Sequence, residues 1–283
     1  MSISIGWLHQ GSLVRPLCLT GIDPCMHSVQ RGPSRGTAER TAPEEKAAPG
    51  GTNGGRPIPV RTMCVRYTLT RSCLADVAEA LEAEFAADDD GLYKSRYNIA
   101  PNDLAWVVVL SADRRVLRPA RWKYLTAAKR RLTNIRSEIV VAFGRFRDVF
   151  SLHRCAVVTD GFYEWPANDR EPVWFHASDR GLVLLGGLLQ PAKVPGAPPR
   201  FSVFTTRPNA LVAKTHDRMP VIVSPHQLDG WLRGQAMEAL SMMAPAPLAA
   251  LVATNVSKHV NNVKHDDPGC VAPRSAGGQG EPF

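Results

Sequence analysis

Arg154-Cys155-Ala156-Val157-Val158-Thr159-Asp160-Gly161-Phe162-Tyr163-Glu164-Trp165 opens with a short apolar run and passes directly into a polar segment. The run Arg154 to Thr159 predicts a strand, and the segment after it sets a carboxylate at the strand's edge. Downstream, Val173 to Ala177, Leu182 to Leu189 and Phe201 to Thr205 predict further strands rich in Val, Phe and Leu. Upstream, Ala105 to Leu110 and Val116 to Pro119 predict a hairpin around Ser111-Ala112-Asp113-Arg114, and Cys64 to Leu69 alternates as a strand does. Ser72 is placed to cap a helix over Cys73 to Phe85. Its Leu74, Val77, Ala78, Leu81 and Phe85 share one face, and Asp88-Asp89-Asp90-Gly91 ends it. Short helices are predicted at Ser137 to Phe143, Asn209 to Lys214 and Pro225 to Leu232. Strands outnumber helices and come in neighbouring runs, so the expected class is α+β: a curved, mostly antiparallel sheet or barrel with flanking helices.

The 283 residues are 44% hydrophobic, 21% charged and 7% aromatic, which excludes collagen-like, wholly disordered and disulfide-scaffold classes. No apolar run approaches the roughly 20 residues that span a bilayer, and no membrane partner is expected. Met1 to Leu19 lacks a continuous apolar stretch, being broken by Gly6, His9, Gln10 and Arg15. A cytoplasmic location is therefore expected, nucleoid-associated in a bacterial source. Residues 1–62 are crowded with Gly, Pro, Ala and charge in their second half, and are expected to form a disordered extension. The folded domain is expected over 63–272, with a disordered tail over 273–283. Six cysteines are scattered without a CxxC pair, so a cysteine here matters for reactivity. Net charge is +8, and residues 63–283 alone hold 27 Lys and Arg against 22 Asp and Glu, a balance that suits an anionic partner.

Four segments are polar where a core strand should be apolar. They are Met63-Cys64-Val65-Arg66-Tyr67, Thr133-Asn134-Ile135-Arg136-Ser137-Glu138, Asp160 to Trp165, and Thr215-His216-Asp217-Arg218-Met219-Pro220. A thiol, an amide, a carboxyl and an imidazole thus each lie at the edge of a regular element. With Asn98-Ile99-Ala100-Pro101, Arg121-Trp122-Lys123-Tyr124 and Val260-Asn261-Asn262-Val263-Lys264-His265-Asp266-Asp267-Pro268, they stand in one order along the chain. In that order they resemble the SRAP family (SOS response-associated peptidase), whose members shield abasic sites in DNA. Val65, Lys123 and Ile135 depart from the family pattern by adding side chains where it has glycine, glycine and alanine.

The resemblance implies a covalent chemistry whose logic is elementary. A ring-opened abasic site carries an aldehyde; an amine attacks it to give a carbinolamine and then an imine, on which a thiol closes. Only an N-terminal cysteine offers amine and thiol on adjacent carbons, giving a five-membered thiazolidine. The α-amine, with a pKa of about 7.7 to 8.0, and the thiol, near about 8.5, are both partly available at neutral pH. Cys64 is expected to be that residue, so translation is expected to start at Met63, or the upstream segment to be removed by autoproteolysis.

The resemblance further implies Asn134 as a hydrogen-bonding group for the sugar or amine, and Glu164 as the general acid/base. His216 would assist sugar-ring opening or crosslink reversal. Arg66 and Arg136 are expected to bind phosphate, Pro101 to contact DNA, and Trp122 between Arg121 and Lys123 to offer a stacking platform for bases. The basic run Ala127 to Arg131 is a further candidate DNA contact, and Phe162 and Trp165 are assigned to the core. The expected partner is single-stranded DNA with abasic sites, engaged by a monomer. No zinc-type spacing, P-loop or dinucleotide fingerprint occurs, so no metal and no cofactor are expected. Two other functions fit the same residues: a cysteine-type peptidase acting on its own N-terminal segment, and a non-covalent single-stranded DNA binding module.

Overall fold

The computed structural model describes residues 66–142, 144–167 and 171–274. The predicted extension over 1–62, Cys64 and Val65 at the start of the first predicted strand, Phe143 and the tail from 275 lie outside the described residues. The chain runs through β1 (Tyr67–Leu69), α1 (Leu74–Ala80), β2 (Arg96–Ile99), β3 (Leu104–Ser111), β4 (Arg114–Trp122), β5 (Tyr124–Leu125), β6 (Arg131–Leu132), β7 (Asn134–Arg136), α2 (Ser137–Ala142) and α3 (Gly144–His153). It continues through β8 (Arg154–Thr159), β9 (Gly161–Glu164), β10 (Val173–His176), β11 (Val183–Gln190), β12 (Arg200–Thr206), β13 (Met219–Pro220), β14 (Ile222–Val223), α4 (Leu228–Arg233), α5 (Ala236–Ser241) and β15 (Val252–Asn255).

β12, β4, β3, β8 and β11 pair in sequence, and β11 pairs back onto β12, so these five strands close into a barrel. The seam between β4 and β12 is short, formed by Arg121 with Arg200 and Trp122 with Phe201. All its pairings are antiparallel except β12 with β4, and β7 also lies parallel to β12. A second, wholly antiparallel sheet has the order β15-β10-β9-β1-β2. The expected α+β class with mostly antiparallel strands is the one observed.

The stretch 154–165 belongs to both sheets: β8 is a buried barrel strand, and after Asp160 the chain enters the second sheet as β9. Gly161 makes this switch feasible, because a Cβ there would lie 2.2 Å from Trp174 Nε1 and 2.8 Å from the Phe175 carbonyl oxygen. Asp160 locks the switch: its buried carboxylate accepts the Thr68 hydroxyl, the Thr70 N–H and the Thr70 hydroxyl, fixing it to β1 and the residue after it.

Helices cover the barrel. Trp231 of α4 is fully buried, edge-on to Phe150 and Phe204, and donates its indole N–H to the Cys155 carbonyl at 2.9 Å. Arg154 reaches from β8 to the end of α4, donating to the carbonyls of Trp231 and Gly234 at 2.5 and 2.6 Å. Such a cation satisfies the carbonyls that a helix C-terminus leaves without partners. The predicted helix over Cys73 to Phe85 stops at Ala80. Glu82 takes a left-handed φ of 47°, and Glu84 then bridges to Val116, yet Leu81 and Phe85 still turn inward. Its cap is the Cys73 thiol rather than Ser72.

Candidate active site

β1 begins three residues after Cys64, and the backbone before it is already paired: the Arg66 carbonyl accepts the Tyr163 N–H at 3.0 Å. Glu164 follows Tyr163 at this end of β9, opposite Val173, and is 1% exposed. A carboxyl is thereby held out of bulk water beside the strand end that leads to Cys64. Arg66 is half-buried and serves the fold, since its Nη1 donates to Asn98 Oδ1 at 2.8 Å and to the Val260 carbonyl at 3.0 Å. Its guanidinium also lies 5.8 Å from the centroid of the Trp165 ring.

Trp122 links this end of β1 to Asn134. It falls on an inward position of β4 and is 1% exposed. Its ring lies 4.9 Å from that of Tyr67 and stacks on Phe201 at 6.2 Å, and the indole N–H donates to the Thr133 carbonyl at 2.9 Å. The predicted base-stacking platform is therefore corrected, because neither face of a ring so enclosed can receive a base. Asn134, next after the bonded carbonyl, is half-buried at the start of β7 in register with Val203. Trp122→Ala should cost about 3–5 kcal/mol through the cavity it leaves, measurable by denaturant unfolding. Trp122→Phe should recover most of that loss, because the Thr133 carbonyl keeps its bond from the Val203 N–H at 3.0 Å.

His216 is 5% exposed, and its Nδ1 accepts the Arg218 backbone N–H at 3.0 Å. A backbone hydrogen has a fixed direction, so the neutral ring carries its proton on Nε2. The exposed Asp217 carboxylate lies 3.1 Å from the same Nδ1. Arg218 ties the His216 segment to the Asn134 segment by a forked pair with Glu138, at 2.6 and 2.9 Å, and donates to the Thr205 carbonyl at 2.6 Å. The Arg218 hydrogen bonds pull the Glu138 carboxyl from its ordinary value of 4.5 down to about 2. A depressed folded-state value makes this contribution present above about pH 4.5 and lost as pH falls toward 2. Glu138→Gln should cost about 1–3 kcal/mol at neutral pH by leaving a buried guanidinium without its counter-ion, and should remove that share of the acid sensitivity in a pH series of unfolding curves.

A family profile described as SOS response associated peptidase (SRAP) matches residues 63–263. The chain belongs to the SRAP family. The abasic site processing protein YoqW of Bacillus subtilis is 27% identical over 223 residues, covering 73% of this chain and 97% of that protein. The abasic site processing protein YedK of Escherichia coli is 23% identical over 223 residues, 75% and 100% of the two chains. HMCES of Gallus gallus, also an abasic site processing protein, is 24% identical over 233 residues, covering 66% and 69%. A solved structure from Bacteroides thetaiotaomicron shares the fold, with a TM-score of 0.63 at 18% identity over 75% of this chain and all of that one.

Within the SRAP fold, the predicted catalytic residues fall into two groups. Asn134 begins β7 and His216 lies just before β13, both strands paired with barrel strand β12, whereas Glu164 and the strand following Cys64 belong to the second sheet, and Tyr67 with Trp122 spans between them. Pro101 is half-buried in the turn after β2, where the Asn102 N–H donates to the Trp122 carbonyl at 2.9 Å. Arg121, Lys129, Arg130, Arg131 and Arg136 are all exposed along the stretch from β4 to β7. Ile135, a departure from the SRAP pattern, is 3% exposed, so its extra carbons are taken up by packing. Phe162 lies in the core as expected, while Trp165 is only partly buried and donates to Asn261 Oδ1 at 2.7 Å.

Four SRAP motif residues not singled out in the sequence are structural ties: Asn98, Asp160, Glu138 and Asp266. Asn98 Nδ2 donates to the carbonyls of Val260, Asn262 and His265, and Asp266 Oδ1 accepts the backbone N–H groups of Tyr97 and Asn98. Together they strap the segment after β15 against β2. Their signal was a polar side chain inside a strand-like motif, where burial demands a partner.

Proposed function

We propose that this protein joins Cys64, as an N-terminal residue, to abasic sites in single-stranded DNA through a thiazolidine, and so protects them during DNA damage. The Cys64 amine attacks the sugar aldehyde, the carbinolamine loses water, and the thiol adds across the C=N bond. One C–N and one C–S bond form, and one water leaves. Glu164 gives the proton that departs with the hydroxyl and takes up the thiol proton for return to nitrogen. His216 assists ring opening, and Asn134 orients the amine or the sugar. The exposed arginines, Arg136 among them, meet the phosphates, a contact that weakens as salt rises. With Trp122 buried, preference for single strands rests on access to an unpaired, ring-opened sugar.

The observation that carries this function is the buried Glu164 carboxyl beside the backbone pairing of Arg66 with Tyr163, in a chain of the SRAP family. Three relatives named as abasic site processing proteins support it. The test mixes a single-stranded oligonucleotide bearing one abasic site with two proteins: one beginning at Cys64 and the full 283-residue chain. A heat-stable adduct is expected for the first. For the second it is expected only when intact mass shows cleavage after Met63, which would be the peptidase activity of the family name. Equal crosslinking by a full chain of unchanged mass overturns the proposal, and salt-sensitive binding with no adduct would leave a non-covalent DNA-binding module.

A further inference from the structure

After β15 the chain makes two short 3-10 turns, Lys258–Asn261 and Pro268–Val271, and three side chains with metal-binding atoms converge there. His259 Nδ1 or Nε2, an Asp267 carboxylate oxygen and Cys270 Sγ offer one donor each, all within 4.8 Å of one another. His259 Nε2 lies 2.8 Å from Asp267 Oδ2, while Asp267 Oδ1 accepts the Gly269 N–H at 2.9 Å and so aims the other oxygen at the imidazole. Gly269 leaves room for this approach, since a Cβ there would sit 2.9 Å from Asp267 Oδ1 and 3.2 Å from His259 Cδ2. The His265 ring stacks on that of His259, centroids 3.8 Å apart, and its Nδ1 lies 2.8 Å from the His259 carbonyl oxygen. Imidazole and carboxylate are thus oriented by groups behind them, as ligands of a metal are.

We propose that His259, Asp267 and Cys270 bind one divalent ion of the zinc class, with solvent as the fourth ligand. One nitrogen, one sulfur and one oxygen suit a borderline-soft ion in a tetrahedral site, and the thiolate disfavours magnesium and calcium. Bond lengths of about 2.0 to 2.3 Å place tetrahedral ligand atoms roughly 3.5 Å apart. Cys270 is fully buried, its Sγ 3.5 Å from the His265 carbonyl oxygen, whereas the side chains of His259 and Asp267 are 35% and 51% exposed, so their rotation can part the 2.8 Å contact between them, bring both toward the sulfur and admit solvent. On binding, the imidazole proton moves from Nε2 to Nδ1 and the thiol proton is released to solvent. The linear pattern, with seven residues between His259 and Asp267 and two more before Cys270, matches no zinc-ribbon spacing, so only the fold assembles the site. The same segment supplies the Val260 carbonyl to Arg66 and Asn261 to Trp165. A bound ion would therefore stiffen the support of the strand end that leads to Cys64.

The test titrates Co²⁺ into the chelator-stripped 283-residue chain. One site with a thiolate-to-cobalt charge-transfer band, displaced by Zn²⁺, is expected. The band should vanish in Cys270→Ser, and Co²⁺ affinity should fall at least about tenfold in His259→Ala and in Asp267→Asn, where Asn can still accept the Gly269 N–H. Absence of such a site in the unaltered chain overturns the proposal. So does a thiolate band that survives Cys270→Ser, which belongs to another cysteine, or unchanged affinity in both His259→Ala and Asp267→Asn with native circular dichroism.

Discussion

Cys64→Ser, in a protein whose first residue is position 64, is expected to abolish the heat-stable adduct with abasic DNA while leaving an imine that borohydride can trap. Serine keeps the α-amine, so attack on the aldehyde and loss of water proceed. Its hydroxyl is a far poorer nucleophile than a thiol that titrates near about 8.5, and ring closure fails. Cys64→Ala should behave in the same way, separating amine chemistry from thiol chemistry in one gel. Retaining Met63 should remove both adducts, because the nitrogen of Cys64 is then an amide. A heat-stable crosslink of undiminished yield in Cys64→Ala would end the proposal, since no other residue of the chain combines a free α-amine with a thiol when position 64 is the terminus.

How far the sequence carries can be judged element by element. The strand over Arg154 to Thr159 appears with the predicted limits, and the hairpin of β3 and β4 lies where its turn residues place it. Both are apolar runs whose burial local pattern determines. β15 escaped because it is mostly exposed and lacks alternation, and α3 because its apolar residues are few and the residues around Gly144 read as a break. Trp122 shows the opposite failure. Its neighbours Arg121 and Lys123 make it look like part of a basic aromatic surface, but strand alternation sends those two side chains one way and the indole the other, into contact with Tyr67 and Phe201. Arg66 reads as a phosphate ligand in the sequence, whereas its bonds to Asn98 and Val260 form only when residues 32 and 194 positions away are brought beside it. Long-range partners of this kind leave no trace in a local window.

Glu164→Gln should slow crosslinking by about 10² to 10⁴ without loss of DNA affinity, the range for a positioned group that transfers protons. Glutamine matches the volume and can accept a hydrogen bond, so the end of β9 and its pairing with β10 should survive, but it cannot give or take a proton at the carbinolamine. Two steps need that transfer: departure of water from the carbinolamine and delivery of the thiol proton to nitrogen. Both lie after DNA binding, so the loss should appear in the single-turnover rate at saturating protein and not in the concentration dependence. Glu164 is 1% exposed, which leaves bulk water poorly placed to substitute. A small carboxylic acid added in solution should therefore rescue Glu164→Ala, where space is opened, better than Glu164→Gln, where it is filled. A purely structural role predicts the reverse: both variants would lose unfolding free energy in proportion to their loss of rate, and acid rescue would be absent. A Glu164→Gln protein with native stability and an unchanged single-turnover rate would remove Glu164 from the mechanism.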